Sequence, residues 1–158
     1  MRLVVTTGTF GFNELVDKIV ESLGAISTKY TEVIIQYGRT EPNSLKRKST
    51  TNSQNFSLIK VAYYTAFDDF IQGADLVVSH AGTGTVLSLL KHNAPFIIVP
   101  NKTLLHNHQE EYTNSLQETL TVSSLSSLVD DIMAAKHTQR TLTVSSTLWS
   151  THFMPLLK

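Results

Sequence analysis

Apolar side chains in this chain fall into two alternating patterns. In one they are contiguous, as in Leu3-Val4-Val5, Val33-Ile34-Ile35, Leu76-Val77-Val78 and Phe96-Ile97-Ile98-Val99. In the other they recur at three- and four-residue intervals, as at Phe12, Leu15, Val16, Ile19, Val20 and Leu23. Contiguous runs bounded by turn residues suit strands buried on both faces, whereas the second spacing lays one apolar stripe along a helix. The pattern predicts strands over 2–8, 32–38, 58–64, 76–80 and 96–100, with a last short one near 119–122. It predicts helices over 12–23, 66–73, 83–92, 106–117 and 123–136, the last with Leu125, Leu128, Val129 and Ile132 on one face. Residues 39–55 lack apolar periodicity and read as an exposed, variable loop. Strands alternating with helices make a parallel sheet covered on both faces, so the expected fold is α/β, a Rossmann-like three-layer domain over residues 1–140. Strand order does not follow from this pattern.

The tail 141–158 follows a polar break at Lys136–Arg140 and holds the single tryptophan, Trp149, among Leu142, Val144, Leu148, Phe153, Met154, Leu156 and Leu157. It either packs back on its own domain or docks a partner, as apolar and aromatic anchors commonly do.

Composition narrows the picture in a few places. A chain of 158 residues with 41% hydrophobic content suits one ordinary globular domain. Its formal net charge is zero, so nothing steers it generally toward nucleic acid or an anionic membrane. The basic run Lys46-Arg47-Lys48 lies in a Ser/Thr/Asn-rich stretch and reads as a solvated loop. With no cysteine, disulfides and thiolate chemistry are excluded. No window approaches the ~18 apolar residues of a membrane span, and the Met1–Gly8 run is too short for a signal peptide.

Candidate chemistry gathers at the strand ends: Gly8-Thr-Phe-Gly11, Gly38-Arg39, His80–Thr85 and Pro100–Asn107 all fall at one edge of such a sheet. Gly8-Thr-Phe-Gly11 lacks dinucleotide-fingerprint spacing and no P-loop lysine motif exists, so the dehydrogenase and nucleotide-hydrolase readings lose. The informative segment is Ser79-His-Ala-Gly-Thr-Gly-Thr85, where a strand passes through a glycine-bearing turn into a helix. Backbone N–H groups at such a helix start form an anion site. Gly82 and Gly84 allow close backbone approach, Thr83 and Thr85 add hydroxyls, and His80 offers a ring nitrogen. The plainer alternative has Thr83 or Thr85 merely capping the helix and His80 satisfied at a strand end. Asn107, His108 and Gln109, at the start of a further helix, carry donor and acceptor atoms suited to sugar hydroxyls, with capping by Asn107 an alternative role. His106 and His108 have no third ligand at a metal-binding spacing, and Asp68-Asp69 and Asp130-Asp131 read as solvated helix faces.

Ser79-His-Ala-Gly-Thr-Gly84, with Asn93-Ala-Pro95 and Asn107-His-Gln109, resembles the cytosolic catalytic subunits of eukaryotic UDP-N-acetylglucosamine transferases of dolichol-linked oligosaccharide synthesis. Those subunits are in turn similar to the C-terminal, donor-binding half of the bacterial transferase that makes lipid II. The likeness spans roughly residues 3–125 and includes Val5-Thr-Thr-Gly-Thr9 with Phe12 and Leu15, and Gln36-Tyr-Gly-Arg39. It implies one half of an inverting GT-B glycosyltransferase that holds UDP-GlcNAc without metal or other cofactor. The reaction implied is addition of the second GlcNAc to GlcNAc-diphosphodolichol. A membrane-anchored partner subunit would supply the acceptor half and hold the chain at the cytosolic face of the endoplasmic reticulum. By this resemblance Gly8 and Thr9 lie at the interdomain cleft, His80 and the Ala81–Thr85 turn lie by the diphosphate, and Asn107–Gln109 lie by the GlcNAc hydroxyls. Ser88 stands where related sequences carry an acidic residue that binds ribose, and Phe10 stands where they often carry a small one. No residue presents itself as general base beyond His80, so the base is expected from the partner or the interface. The rival readings are a non-catalytic nucleotide-sugar-binding or scaffold subunit, and a free-standing sugar-nucleotide enzyme.

Overall fold

The computed structural model describes residues 1–52, 55–92, 94–101 and 120–136. Six strands form one sheet: β1 (Arg2–Thr6), β2 (Glu32–Gln36), β3 (Thr51–Asn52), β4 (Ser57–Val61), β5 (Leu76–His80) and β6 (Phe96–Val99). They lie in the order β3-β4-β2-β1-β5-β6. All pairings are parallel except that of β3, which runs antiparallel along the β4 edge. The expected parallel sheet is therefore present, with one short antiparallel strand added.

Alternate residues of each strand enter opposite cores, which is why the strand sequences are apolar throughout. On one face Leu3, Val5, Val33, Ile35, Val78 and Val99 pack with helices α1 (Asn13–Glu21), α2 (Leu23–Ile26) and α6 (Leu128–Ala134). On the other face Val4, Ile34 and Val77 meet Phe70 and Ile71 of α4 (Phe67–Ile71) and Leu89 of α5 (Thr83–Lys91). These are the three layers predicted from the periodicity.

Several boundaries differ from the sequence reading, each for a local reason. The helix expected over 12–23 breaks at Ser22, whose N–H is shared between the Lys18 and Ile19 carbonyls at 3.2 and 3.1 Å. The stretch 39–55 is not simply an exposed loop. It forms α3 (Asn43–Lys46) and β3, and Leu45 is wholly buried in the core beside α1. One buried residue in a one-turn helix leaves no periodicity to read. The helix of 66–73 shortens to α4 and ends near Gly73, whose φ is +74°. In place of a strand over 119–122 there is a single parallel bridge between Ile98 and Val122. The last helix begins at Leu128, not 123, because Ser123, Ser124 and Ser127 bond one another and nearby backbone, a familiar competitor of helix formation. The helix expected over 106–117 and the tail 141–158 lie outside the described residues.

Candidate functional site

Strand register sets the geometry of the carboxyl edge. Thr6 pairs with Gln36 of β2 on one side and Ser79 of β5 on the other, so the three strands end level. The strand order also reverses between β1 and β5, and the crevice outside such a switch point is where open α/β sheets bind ligands. A cleft of ≈ 360 Å³ lies there. The Gly8-Thr9 turn after β1 forms one wall and Gly84, Thr85 and Ser88 of α5 form another. Tyr63, Tyr64 and Phe67 beyond β4 supply a third, aromatic wall, with Thr6 and Gln36 between them.

The α5 wall is the start of a helix left open. Gly82 is the N-cap, at φ −84° and ψ 124°, and no side chain caps this end. The first helical hydrogen bond runs from the Val86 N–H to the Gly82 carbonyl at 3.0 Å. The amides of Thr83, Gly84 and Thr85 thus have no helical acceptor, and the positive end of the helix dipole stands at the cleft. Neither Thr83 nor Thr85 caps the helix, so the plainer role for them is ruled out. A Cβ on Gly84 would meet nothing within 4 Å, which leaves room there for a ligand. Gly84, Thr85 and Ser88 share the face turned away from the buried Val86, Leu89 and Leu90.

At Gly82 a neighbouring side chain is what requires glycine. A Cβ there would come within 2.3 Å of His80 Nε2, so the imidazole, not a ligand, occupies the space beside it. The same ring lies 2.6 Å from where a Cβ on Gly8 would stand, and Gly8 has φ +70° besides. His80 therefore sits against both turns. Its buried Nδ1 has no hydrogen-bond partner among the described residues. Burial pushes its pKa below the ordinary histidine value, with the Thr6 backbone partly opposing. The ring is neutral at pH 7, which suits a spacer or a hydrogen-bonding group better than a cation facing phosphate.

Gln36 ties the walls together. Its Oε1 accepts from the Thr6 hydroxyl at 2.7 Å and the Thr7 N–H at 3.2 Å, while Nε2 donates to the Gly8 and Ala62 carbonyls at 2.9 Å each. Beyond Ala62, Tyr63 and Tyr64 are 52% and 42% exposed, and the Tyr64 ring stacks on Phe70 with centroids 3.9 Å apart. The aromatic wall is thus anchored to the core through α4 while its outer faces remain open.

Of the residues expected at the site, Gly8, Thr9, Gly84, Thr85 and Ser88 line the cleft. His80 and Gly82 are not among the residues that line it. Ala81 is 3% exposed and packs with Val86, Leu90 and Ile98, so its side chain belongs to the core. Thr83 is not part of the cleft wall, and Asn107, His108 and Gln109 lie outside the described residues. Thr6 and Gln36 also line the cleft and stand out in the sequence only within family motifs, while Tyr63, Tyr64 and Phe67 carry no assigned role there, although adjacent tyrosines at a strand end are a usable signal. Among the described residues no group of three His, Asp or Glu side chains is placed to hold a metal ion. No described helix is long and apolar enough to cross a membrane.

Residues 2–147 match the glycosyltransferase family 28 C-terminal domain. The chain belongs to that family. Among relatives, it is 35% identical over 127 residues to the UDP-N-acetylglucosamine transferase subunit ALG13 of Mus musculus, a match covering 74% of this chain. The chain spans only 10% of that relative's length. Among solved structures, the solution structure of ALG13 superposes with a TM-score of 0.61 at 23% identity, covering 87% of this chain and 86% of the other. MurG of Acinetobacter baumannii gives a TM-score of 0.66 at 14% identity, over 84% of this chain and 40% of that one. These two likenesses speak to the fold and agree with the Rossmann-like, GT-B C-terminal-half domain that the resemblance implies.

Proposed function

We propose that the chain is the UDP-GlcNAc-binding catalytic subunit of a heteromeric N-acetylglucosaminyltransferase. The observation that carries this reading is the uncapped start of α5 at a cleft on the switch point, facing the Gly8-Thr9 turn. Membership in a family 28 glycosyltransferase domain and likeness to a subunit named for this transfer support it. In this reading the free amides of Thr83–Thr85 and the helix dipole offset the charge of the diphosphate, in the ground state and as UDP leaves. Thr9 and Thr85 add hydroxyl donors, Ser88 meets the ribose, and Tyr63 and Tyr64 offer open ring faces to the base. Asn107, His108 and Gln109 are assigned to the sugar by resemblance alone.

The acceptor, by the same reading, is GlcNAc-diphosphodolichol, and the step inverts the anomeric carbon as the acceptor hydroxyl displaces UDP. A membrane-anchored partner supplies the acceptor half and the general base and holds the chain at the cytosolic face of the endoplasmic reticulum. His80, outside the cleft wall and neutral, serves as a prop rather than as that base. Co-expression with the partner, followed by a transfer assay from UDP-GlcNAc to a lipid diphosphate acceptor, tests this. Transfer only with both subunits supports it. Donor binding without transfer favours the second reading, a non-catalytic nucleotide-sugar-binding or scaffold subunit, for which Ser88 in place of an acidic residue is the argument.

A further inference from the structure

The Gln36 amide uses every hydrogen-bonding position it has, two as acceptor and two as donor, on a residue only 6% exposed. Only a primary amide offers that set on one planar group, and a buried polar group so fully matched is costly to disturb. The residue ends β2 directly after the apolar run Val33-Ile34-Ile35, and its bonds reach residues 28 and 26 positions away in the sequence. Those two partners matter for the cleft. One is the carbonyl of Gly8, in the turn that faces α5. The other is the carbonyl of Ala62, next to Tyr63 and Tyr64.

The geometry points to Gln36 as the positioning residue of the donor site. It fixes the separation between the turn that meets the diphosphate and the aromatic wall that meets the base, and so determines whether both ends of one nucleoside diphosphate are held together. The Gly8 turn is caught between this amide on one side and the His80 ring on the other. Without the Nε2 donors the Gly8 and Ala62 carbonyls lose their common anchor, and each loop relaxes on its own. The role rests on the reading of the cleft as a UDP-sugar site.

The test is calorimetric titration of UDP and of UMP into the full chain, native and with Gln36→Glu or Gln36→Met, with the fold checked by circular dichroism. Gln36→Glu keeps the acceptors and loses both donors, and Gln36→Met keeps the volume and loses all four bonds. UDP affinity is expected to fall by about tenfold or more in both, and UMP affinity by less, so that the UDP-to-UMP ratio shrinks. Thr6→Val, which removes one donor to Oε1 and keeps the side-chain shape, should give a smaller loss in the same direction. A purely structural role would lower Tm and leave the ratio at its native value. A native ratio in a folded Gln36 variant overturns this assignment and leaves the UDP reading standing. If neither Gln36 variant folds, native affinity in Thr6→Val overturns it instead. Failure of the native chain to bind UDP overturns the reading of the cleft, and the role of Gln36 with it.

Discussion

A Cβ placed on Gly82 would stand 2.3 Å from Nε2 of His80. Gly82 has an ordinary φ of −84°, so backbone strain does not require glycine here and the histidine ring does. Gly82→Ala is therefore expected to destabilise the fold by about 1–3 kcal/mol through overpacking. In a His80→Ala background the same substitution should cost little, because the obstacle is gone. Urea unfolding of the two single variants and the double variant checks this as a double-mutant cycle. Additive effects would place the ring elsewhere. Gly8→Ala should behave differently and remain costly without His80, since Gly8 also needs φ +70°.

The partly buried His80 carries a pH signature. Its folded pKa lies below the ordinary value of 6.5, so the unfolded chain takes up a proton that the folded chain refuses. The stability it permits is present above about pH 6.5 and is lost as pH falls from there toward the folded pKa. Unfolding free energy should rise between pH 5.5 and 7.5, and His80→Gln should flatten part of that slope. An equal slope in the variant would assign the dependence to other groups.

Lys29 closes the end of α6. Its Nζ donates to the carbonyls of Ile132, Met133 and Ala135 at 3.1, 2.8 and 2.8 Å, a cation at the negative end of a helix. Lys29→Met should cost about 1 kcal/mol or more, read as a lower urea midpoint with unchanged m-value. Lys29 precedes the amino end of β2 whereas the cleft lies beyond its carboxyl end, so the substitution should not change UDP affinity.

Ser88 lines the cleft from α5, and the proposed donor site sets it at the ribose. Ser88→Ala is expected to weaken UDP by a few-fold, the loss of about one hydrogen bond. Ser88→Glu should strengthen it if the longer side chain reaches the ribose. UDP titration of both variants is the check, and no change in either would remove Ser88 from the ribose contact.

The βαβ unit from Leu76 to Val99 was legible because its signals are local: a contiguous apolar strand, a glycine turn, a helical stripe, a second strand. Leu45 was hidden by its polar neighbours, since burial of one residue in one turn has no period. The crowding of Gly82 by His80 is not legible in the sequence, because a contact between residues two apart, ring against backbone, depends on how the turn folds. Gln36 was quoted only as part of a family motif, because its partners come together only when β1, β2 and β4 pair. The expected sugar contact, Asn107–Gln109, falls outside the described residues.

The central claim is that a UDP-sugar lies against the open start of α5, and Gly84 allows that to be tested without disturbing the fold. Its missing side chain faces empty space within a helix, where a larger residue is tolerated and helix propensity favours it over glycine. Calorimetric titration of UDP into native protein and Gly84→Leu is the decisive measurement. The account predicts that Gly84→Leu keeps or raises Tm and loses UDP binding. A folded Gly84→Leu that binds UDP like the native chain would contradict it.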